Sequence, residues 1–415
     1  MTQESSSSFF QKYFDYVGNS EAPVAYHRWS AISVVGALLG RQYRFPFGHF
    51  ELYPTQFILL IGGAGSRKSS AIGIAEKLAK AAGYTSFADD RLSKEMFLKS
   101  MMKEEMPLVE DDDDLADLLD LTFDEPSEKY IVADEFLDFM GMNNLEFMTM
   151  LTKLWDSKDE YRHPKLHGDD VVVTKPTVNI LAGSTLTNLT LAFPPEVVGH
   201  GFLTRMLIIQ ADPSGNKITW PKPPDPDAKR DLVTHLKKMK EVVRGVAEVE
   251  PAALKILDRM YKDFVPIDDP RFASYSNRRF SHLLKLCLVL AASRLSTTIS
   301  VSDALEANTI LHYAECRMPK GLGEFGKGRY SSVQTEILDI MQSSHKPLTI
   351  PEIWRFVGTD SSKQGELVDI MKGLLTANKI GPDPQGGAGM VAIQHTREEW
   401  GKGLILDDFL ELEEM

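Results

Sequence analysis

The run Gly62-Gly63-Ala64-Gly65-Ser66-Arg67-Lys68-Ser69 constrains this 415-residue chain more than any other stretch. An apolar segment, Phe57 to Ile61, precedes it, and an Ala-rich amphipathic segment from Ser70 to Ala82 follows. Strand, glycine loop and helix in that order are the setting of a phosphate-binding loop. There, backbone N–H groups surround a β-phosphate, a lysine ammonium reaches the β and γ oxygens, and the next hydroxyl holds Mg²⁺. Gly62, Gly63, Gly65, Ser66, Arg67, Lys68, Ser69 and Ser70 are therefore candidate nucleotide-binding residues, with Ser69 a candidate metal ligand. One letter departs from G-x-x-x-x-G-K-[ST], because Arg67 stands where a glycine is expected. A Gly-rich turn between a buried strand and a helix is the bland alternative; Lys68-Ser69 after three glycines favours the phosphate loop.

Downstream, Lys129 to Ala133 reads as a buried strand ending in Asp134-Glu135. After a phosphate loop, such a pair has defined work: Asp134 holds Mg²⁺ through its water and Glu135 polarises the attacking water. Residues 159–175 read as a β-hairpin whose tip region carries Arg162, His163, Lys165 and His167. Val178 to Gly183 is a further buried-type strand followed by Ser184-Thr185, either of which can position a lytic water or sense a γ-phosphate. Arg205 precedes a last short strand, Met206 to Gln210; a surface salt bridge and a guanidinium pushed into a neighbouring subunit are its two readings.

Composition bounds the class. The chain is 43% hydrophobic and 25% charged, which suits a soluble globular protein of two or three domains. Its apolar runs are too short to span a bilayer, and residues 1–8 show no basic-then-apolar leader pattern. Cys287 and Cys316, both in helical-looking apolar segments, are expected as buried thiols, and a reducing cytoplasm is the expected setting. The net charge of −13 is unevenly spread: residues 104–128 hold twelve acids and no base, and residues 398–415 hold seven acids and one lysine. The remaining body has 45 basic and 40 acidic residues, so the global sign does not exclude nucleic acid.

The expected organisation is an N-terminal helical segment (1–45), a core (46–212) with acidic loop 104–128 and hairpin 159–175, and a Pro-rich linker (213–227). A helical region (228–325), a winged helix (328–395) and an acidic tail (396–415) follow. Helices are expected over 229–248, 251–264, 276–294 and 302–318. In the winged helix, three short helices precede a hairpin; Lys363 at the start of the third is a candidate DNA contact, while Asp360, Glu366 and Asp369 leave protein docking equally open.

The order of these features resembles that of AAA+ P-loop ATPases, and most closely the superfamily 3 and minichromosome-maintenance helicases. Tyr26-His27-Arg28-Trp29-Ser30-Ala31, Gly65-Ser66-Arg67-Lys68-Ser69 and Gly199-His200-Gly201-Phe202-Leu203-Thr204-Arg205 are similar to stretches of phage and plasmid replicative helicases. The resemblance covers roughly residues 20–320. It implies an α/β fold, a mostly parallel sheet flanked by helices, with an α-helical lid and a C-terminal winged-helix domain. ATP and Mg²⁺ are the implied cofactors, with Lys68, Glu135 and Arg205 in hydrolysis, Arg205 acting in trans, and Arg278 or Arg279 as a second sensor of the γ-phosphate. Implied partners are single-stranded or forked DNA, gripped by the hairpin through Lys165 with Arg162, His163 and His167, and other copies of the chain in a ring, a hexamer in the family. The acidic tail implies replication proteins as further partners, and a bacterial host cytoplasm is the implied location. The alternatives are an ATPase switch that loads or regulates another protein, and an origin binder without unwinding activity.

Overall fold

The computed structural model describes residues 8–102, 125–164, 170–193, 197, 201–323 and, further on, 337–338, 340–341, 343–344, 346–357, 364–376, 380–382 and 390–392. The acidic loop up to residue 124, the hairpin tip with Lys165 and His167, Lys363 and the acidic tail lie outside the described residues. The chain divides into two compact units, 1–321 and 322–402.

The first unit is built on a four-stranded parallel sheet. Its strands are β3 (Phe57–Ile61), β4 (Glu128–Ala133), β7 (Thr177–Ser184) and β8 (Met206–Gln210), in the order β4-β7-β3-β8. All eight residues of β7 and all five of β3 are buried, as continuous apolar runs covered on both faces must be. The covering elements include α2 (Val24–Leu39), α3 (Lys68–Ala81), α5 (Phe136–Met140) and α6 (Leu145–Trp155), each of which packs on β7. Between α3 and α5, α4 (Lys94–Met101) packs on α6. Ser93 and Asn144 cap α4 and α6 by accepting a third-residue N–H.

Helix α2 is apolar on every side, and thirteen of its residues are buried. One polar network fixes it to the sheet. Asn179 of β7 donates to Ser33 O (3.0 Å) and Ser33 Oγ (2.8 Å) and accepts the Gln56 N–H (2.7 Å). Tyr130 of β4 reaches the same Ser33 hydroxyl at 2.9 Å. Preceding α2, α1 (Phe9–Val17) packs on it and on α8 (Pro226–Val242).

The expected hairpin before the phosphate loop is present as β1 (Tyr43–Phe47) and β2 (Phe50–Leu52), turning at Gly48. The expected hairpin 159–175 is present as β5 (Glu160–His163) paired with β6 (Val171–Thr174). Buried Arg41 anchors its base, donating to Thr177 Oγ1 (3.0 Å), Lys158 O (2.6 Å) and Ser157 O.

Residues 226–321 belong to the same compact unit as the sheet. They hold α8, α9 (Pro251–Lys262), α10 (Arg279–Ser293) and α11 (Val301–Glu315). The helix expected over 229–248 stops at Val242, because Gly245 takes a positive φ of 85° and Gly245–Val246 (β9) pairs in parallel with Tyr43–Arg44. Glu248–Val249 (β10) pairs likewise with Thr298–Ile299 (β11). The β1–β9 ladder and the packing of α10 on α2 tie the region to the rest of the first unit, while the β10–β11 ladder closes it on itself. Cys287 is buried as expected; Cys316 is exposed, since α11 ends at Glu315 and the following turn faces solvent.

The second unit contains α12 (Ile350–Val357), α13 (Gln364–Thr376) and the antiparallel pair β12 (Ile380–Pro382) and β13 (Met390–Ala392), with a further bridge between Leu348 and Met390. Ile353, Val357, Leu367, Ile370, Leu374 and Ile380 are in its core.

Asn179→Ala strips the Gln56 N–H of its acceptor and leaves the Ser33 hydroxyl with Tyr130 as its remaining donor inside the core. A loss of about 3 kcal/mol is expected, read as a lowered urea midpoint at unchanged m-value.

Candidate nucleotide site

Parallel register gathers the site. Ile61 lies beside Ser184 on one side and Gln210 on the other, and Ala133 lies beside Ala182. The residues that follow β3, β4 and β7 therefore emerge together at the carboxyl edge of the sheet, where ligands of open α/β sheets bind.

The phosphate loop is tightly supported from below. Tyr26 donates its hydroxyl to Ile61 O at 2.7 Å. A Cβ at Gly62 would collide with that hydroxyl and come within 2.7 Å of Ser66 Oγ, so only glycine fits there. Arg67 has φ 66° and ψ 22°, the left-handed conformation that explains why glycine is expected at this position. An arginine adopts it at a cost of about 1 kcal/mol. Its guanidinium pairs with Glu21, a residue that nothing in the local sequence singles out. Helix α3 begins at Lys68, whose ammonium donates to Gly62 O (2.8 Å), Gly63 O (3.1 Å) and Ser66 Oγ (3.2 Å). Desolvation lowers the Lys68 pKa and the charge of Glu135 opposes that shift, so the lysine and the acidic pair sense one another. Ser69 and Ser70 are exposed on the first turn of α3.

Across the edge, Gly183 allows close approach: a Cβ there would sit 2.6 Å from Asp134 O. Ser184 donates its hydroxyl to Glu135 Oε1 at 2.8 Å. Thr185 instead caps the helix Leu186–Ala192 (α7) by accepting the Asn188 N–H at 3.1 Å. Of the two residues open in the sequence, Ser184 is thus the one joined to the acidic pair. Partial desolvation, then the carboxylates of Glu76 and Asp90, raise the Asp134 pKa. A cation beside Asp134 would relieve that repulsion, and the hard oxygens of Asp134 and Ser69 suit Mg²⁺. No cluster of three or more His, Cys, Asp or Glu side chains is placed to hold a metal among the described residues, whereas Mg²⁺ takes most of its ligands from water and phosphate.

Two clefts flank the N-terminal turn. One, ≈ 610 Å³, is lined by Pro23, His27, Gln210, Asp212, Tyr313 and Arg317. The other, ≈ 730 Å³, is lined by Glu21, Arg67, Ser70, Ile74, Ile218 and Pro224 among others, and it alone includes residues of the phosphate loop.

The arginines depart from expectation. Arg205 is 4% exposed and held by Asp156 at the end of α6, through Nη2–Oδ1 (2.7 Å) and Nη2–Oδ2 (3.0 Å). It also donates to Gly201 O at 2.9 Å and lies over Trp155. A group that enters a neighbour's site must be accessible, and capture by Asp156 removes that accessibility. Arg278 approaches the same carboxylate at 3.9 Å with its side chain 37% exposed. Arg279 is buried in pairs with Glu315 (2.7 Å) and Asn308 (2.8 Å), a structural role that supersedes γ-phosphate sensing. On the hairpin, Arg162 pairs with Glu160 of its own strand, and His163 is half-buried.

Lys285, unremarkable in sequence, completes the arginine cluster. It is 2% exposed, donates to Thr55 O (3.1 Å) and lies 3.9 Å above the Trp155 ring. Burial brings its pKa down to about 7; Asp156 opposes that shift and Arg205 and Arg278 add to it. Burial likewise lowers neighbouring His282, to about 3.

The fold is that of an α/β protein with a parallel four-stranded sheet flanked by helices, compatible with a P-loop-like core. A scan against protein-family models finds no match, and a search of curated protein sequences likewise finds none.

Below pH 7 both the folded and unfolded forms hold the Lys285 proton, and the burial penalty is complete. Between about 7 and 10.5 the folded state has released it while the unfolded state retains it, so stability rises with pH across that window. Lys285→Met should therefore raise the Tm by about 5 °C at pH 6 and by less than about 2 °C at pH 10, measured by calorimetry.

Proposed function

We propose that the chain is a Mg²⁺-dependent, AAA+-type ATPase that moves on single-stranded DNA, as a ring-forming replicative helicase of a phage or mobile element. The observation that carries the hydrolytic part is the Ser184–Glu135 bond across from Lys68 on one sheet edge. Strand β7 stands between β3 and β4, so Ser184 touches both sides: its main-chain O accepts the Gly62 N–H at 3.2 Å and its hydroxyl donates to Glu135. In this reading, residues 226–321 are the lid and the second unit is the winged helix, with α12, α13 and the β12–β13 pair as its described parts.

ATP places its β- and γ-phosphates in the loop of Gly62 to Ser69, where phosphate oxygens replace the carbonyls that now accept from Lys68. Ser69, and Asp134 through a water, would hold Mg²⁺, which would supply charge neutralisation to the bound phosphates. Glu135, oriented by Ser184, polarises the attacking water, and the products are ADP and phosphate. The nucleoside occupies the ≈ 730 Å³ cleft beside Arg67 and Ser70. Within a ring, Arg278 is the accessible guanidinium of the Asp156 cluster and the one suited to a neighbour's site.

One observation favours the second reading, a nucleotide switch that does not unwind DNA. Arg162 is neutralised by Glu160, which weakens the described part of the hairpin as a phosphate grip. The basic excess outside the two acidic segments favours the motor.

Lys68→Ala should lower ATP turnover at least about 100-fold with loss of nucleotide binding, while Glu135→Gln should lower it about 100-fold with binding retained within about threefold. Phosphate release and equilibrium binding of a fluorescent nucleotide separate the two. A forked duplex with a labelled strand tests the motor: ATP-dependent displacement, lost in Glu135→Gln, is expected. Hydrolysis stimulated by single-stranded DNA without displacement would establish the switch instead.

A further inference from the structure

Glu21 joins three segments that are far apart in sequence. Its Oε2 pairs with Arg67, the left-handed residue of the phosphate loop. Its Oε1 accepts the Ile218 N–H at 2.8 Å, and its main-chain O accepts the Ser214 hydroxyl at 2.6 Å. The Ile218 N–H first, and then Arg67, hold the Glu21 carboxyl below the usual carboxylate range, so it is an anion in both contacts. Residues 213–225 contain no helix or strand, and Trp220 among them is 86% exposed. The segment therefore depends on such bonds for its position. It forms one wall of the cleft that Arg67 and Ser70 line from the other side.

We propose that Glu21 is a positioning residue for the phosphate loop: a clasp that fastens the Pro-rich wall of the cleft to Arg67 and so retains nucleotide. This rests on the nucleotide reading above for its effect on ligand, and on geometry alone for its effect on the wall. The arginine at position 67 acquires a reason that glycine would not supply. It adopts the conformation at some cost and in return reaches a carboxylate that also holds residues 214 and 218.

The Lys217–Ile218 peptide is a built-in reporter, since its N–H is the one Glu21 holds, and trypsin must draw the segment out to cut there. In the full chain, timed trypsin treatment with mass identification of fragments 1–217 and 218–415 should show slow nicking. Arg67→Gly keeps the positive φ and should accelerate that cut about threefold, and Glu21→Ala, which loses both side-chain contacts, about tenfold. The double variant should nick no faster than Glu21→Ala alone, because the pair acts as one unit. Stopped-flow release of mant-ADP should quicken by the same factors, and in Glu21→Ala kcat should stay within about twofold. Nicking in Arg67→Gly at the wild-type rate, or a double variant nicked faster by the full product of both single effects, would overturn the clasp. Faster nicking with unchanged mant-ADP release would overturn its role toward nucleotide. Failure of the wild-type chain to bind mant-ADP would remove the nucleotide reading, while the nicking comparison would still decide the clasp.

Discussion

The register between β3 and β7 is the constraint on which the candidate site depends. With Ile61 set beside Ser184, the loop after β3 and the hydroxyl after β7 lie at one edge, and the β4 ladder brings Asp134 and Glu135 to the same edge. A slip of one residue would turn every side chain of these strands over and separate Ser184 from Glu135. The register is held from inside by Asn179, which binds the backbone entering β3 and the helix packed across both strands. A core amide thus helps to fix which residues meet at the far end of the strand.

Charge is handled in two contrasting ways around this edge. At the glycine loop the cation donates to two carbonyls and a hydroxyl, neutral acceptors that anionic oxygens can replace. Around Asp156, by contrast, Arg205 is committed to a bidentate pair that joins α6 to the turn before β8, and Lys285 of α10 is held against the indole ring of Trp155. A motif reading treats the arginine of Leu203-Thr204-Arg205 and the lysine of the loop as the same kind of resource. Their partners distinguish them: neutral carbonyls for Lys68, a carboxylate for Arg205.

What the sequence disclosed follows from how local each signal is. The strand, loop and helix around Lys68, the strand ending in Asp134-Glu135 and the β5–β6 hairpin are each contiguous, and periodicity or turn chemistry exposes them. The short strands β9, β10 and β11 are two residues each and exist because Tyr43–Arg44 or one another lie alongside, which no local pattern encodes. The partners of Arg67 and Arg205 were hidden for the same reason: Glu21 and Asp156 are ordinary acids in their own neighbourhoods. The choice between Ser184 and Thr185 was also beyond sequence, since both follow the strand and only the backbone path shows that one caps a helix.

Helix α2 has one more consequence, which concerns the order of synthesis. Gln42, just beyond it, donates to Val243 O across 201 residues of chain, and Tyr43 donates to Thr297 O across 254. Translation at about 5–20 residues per second leaves the start of this fold without those partners for roughly 13–50 seconds. During that interval α2 has α1 and α3, its neighbours in sequence, to bury against, while the side that α10 covers has no partner yet. The same all-round burial that makes α2 the centre of the finished protein leaves part of the nascent helix bare until the chain reaches α10.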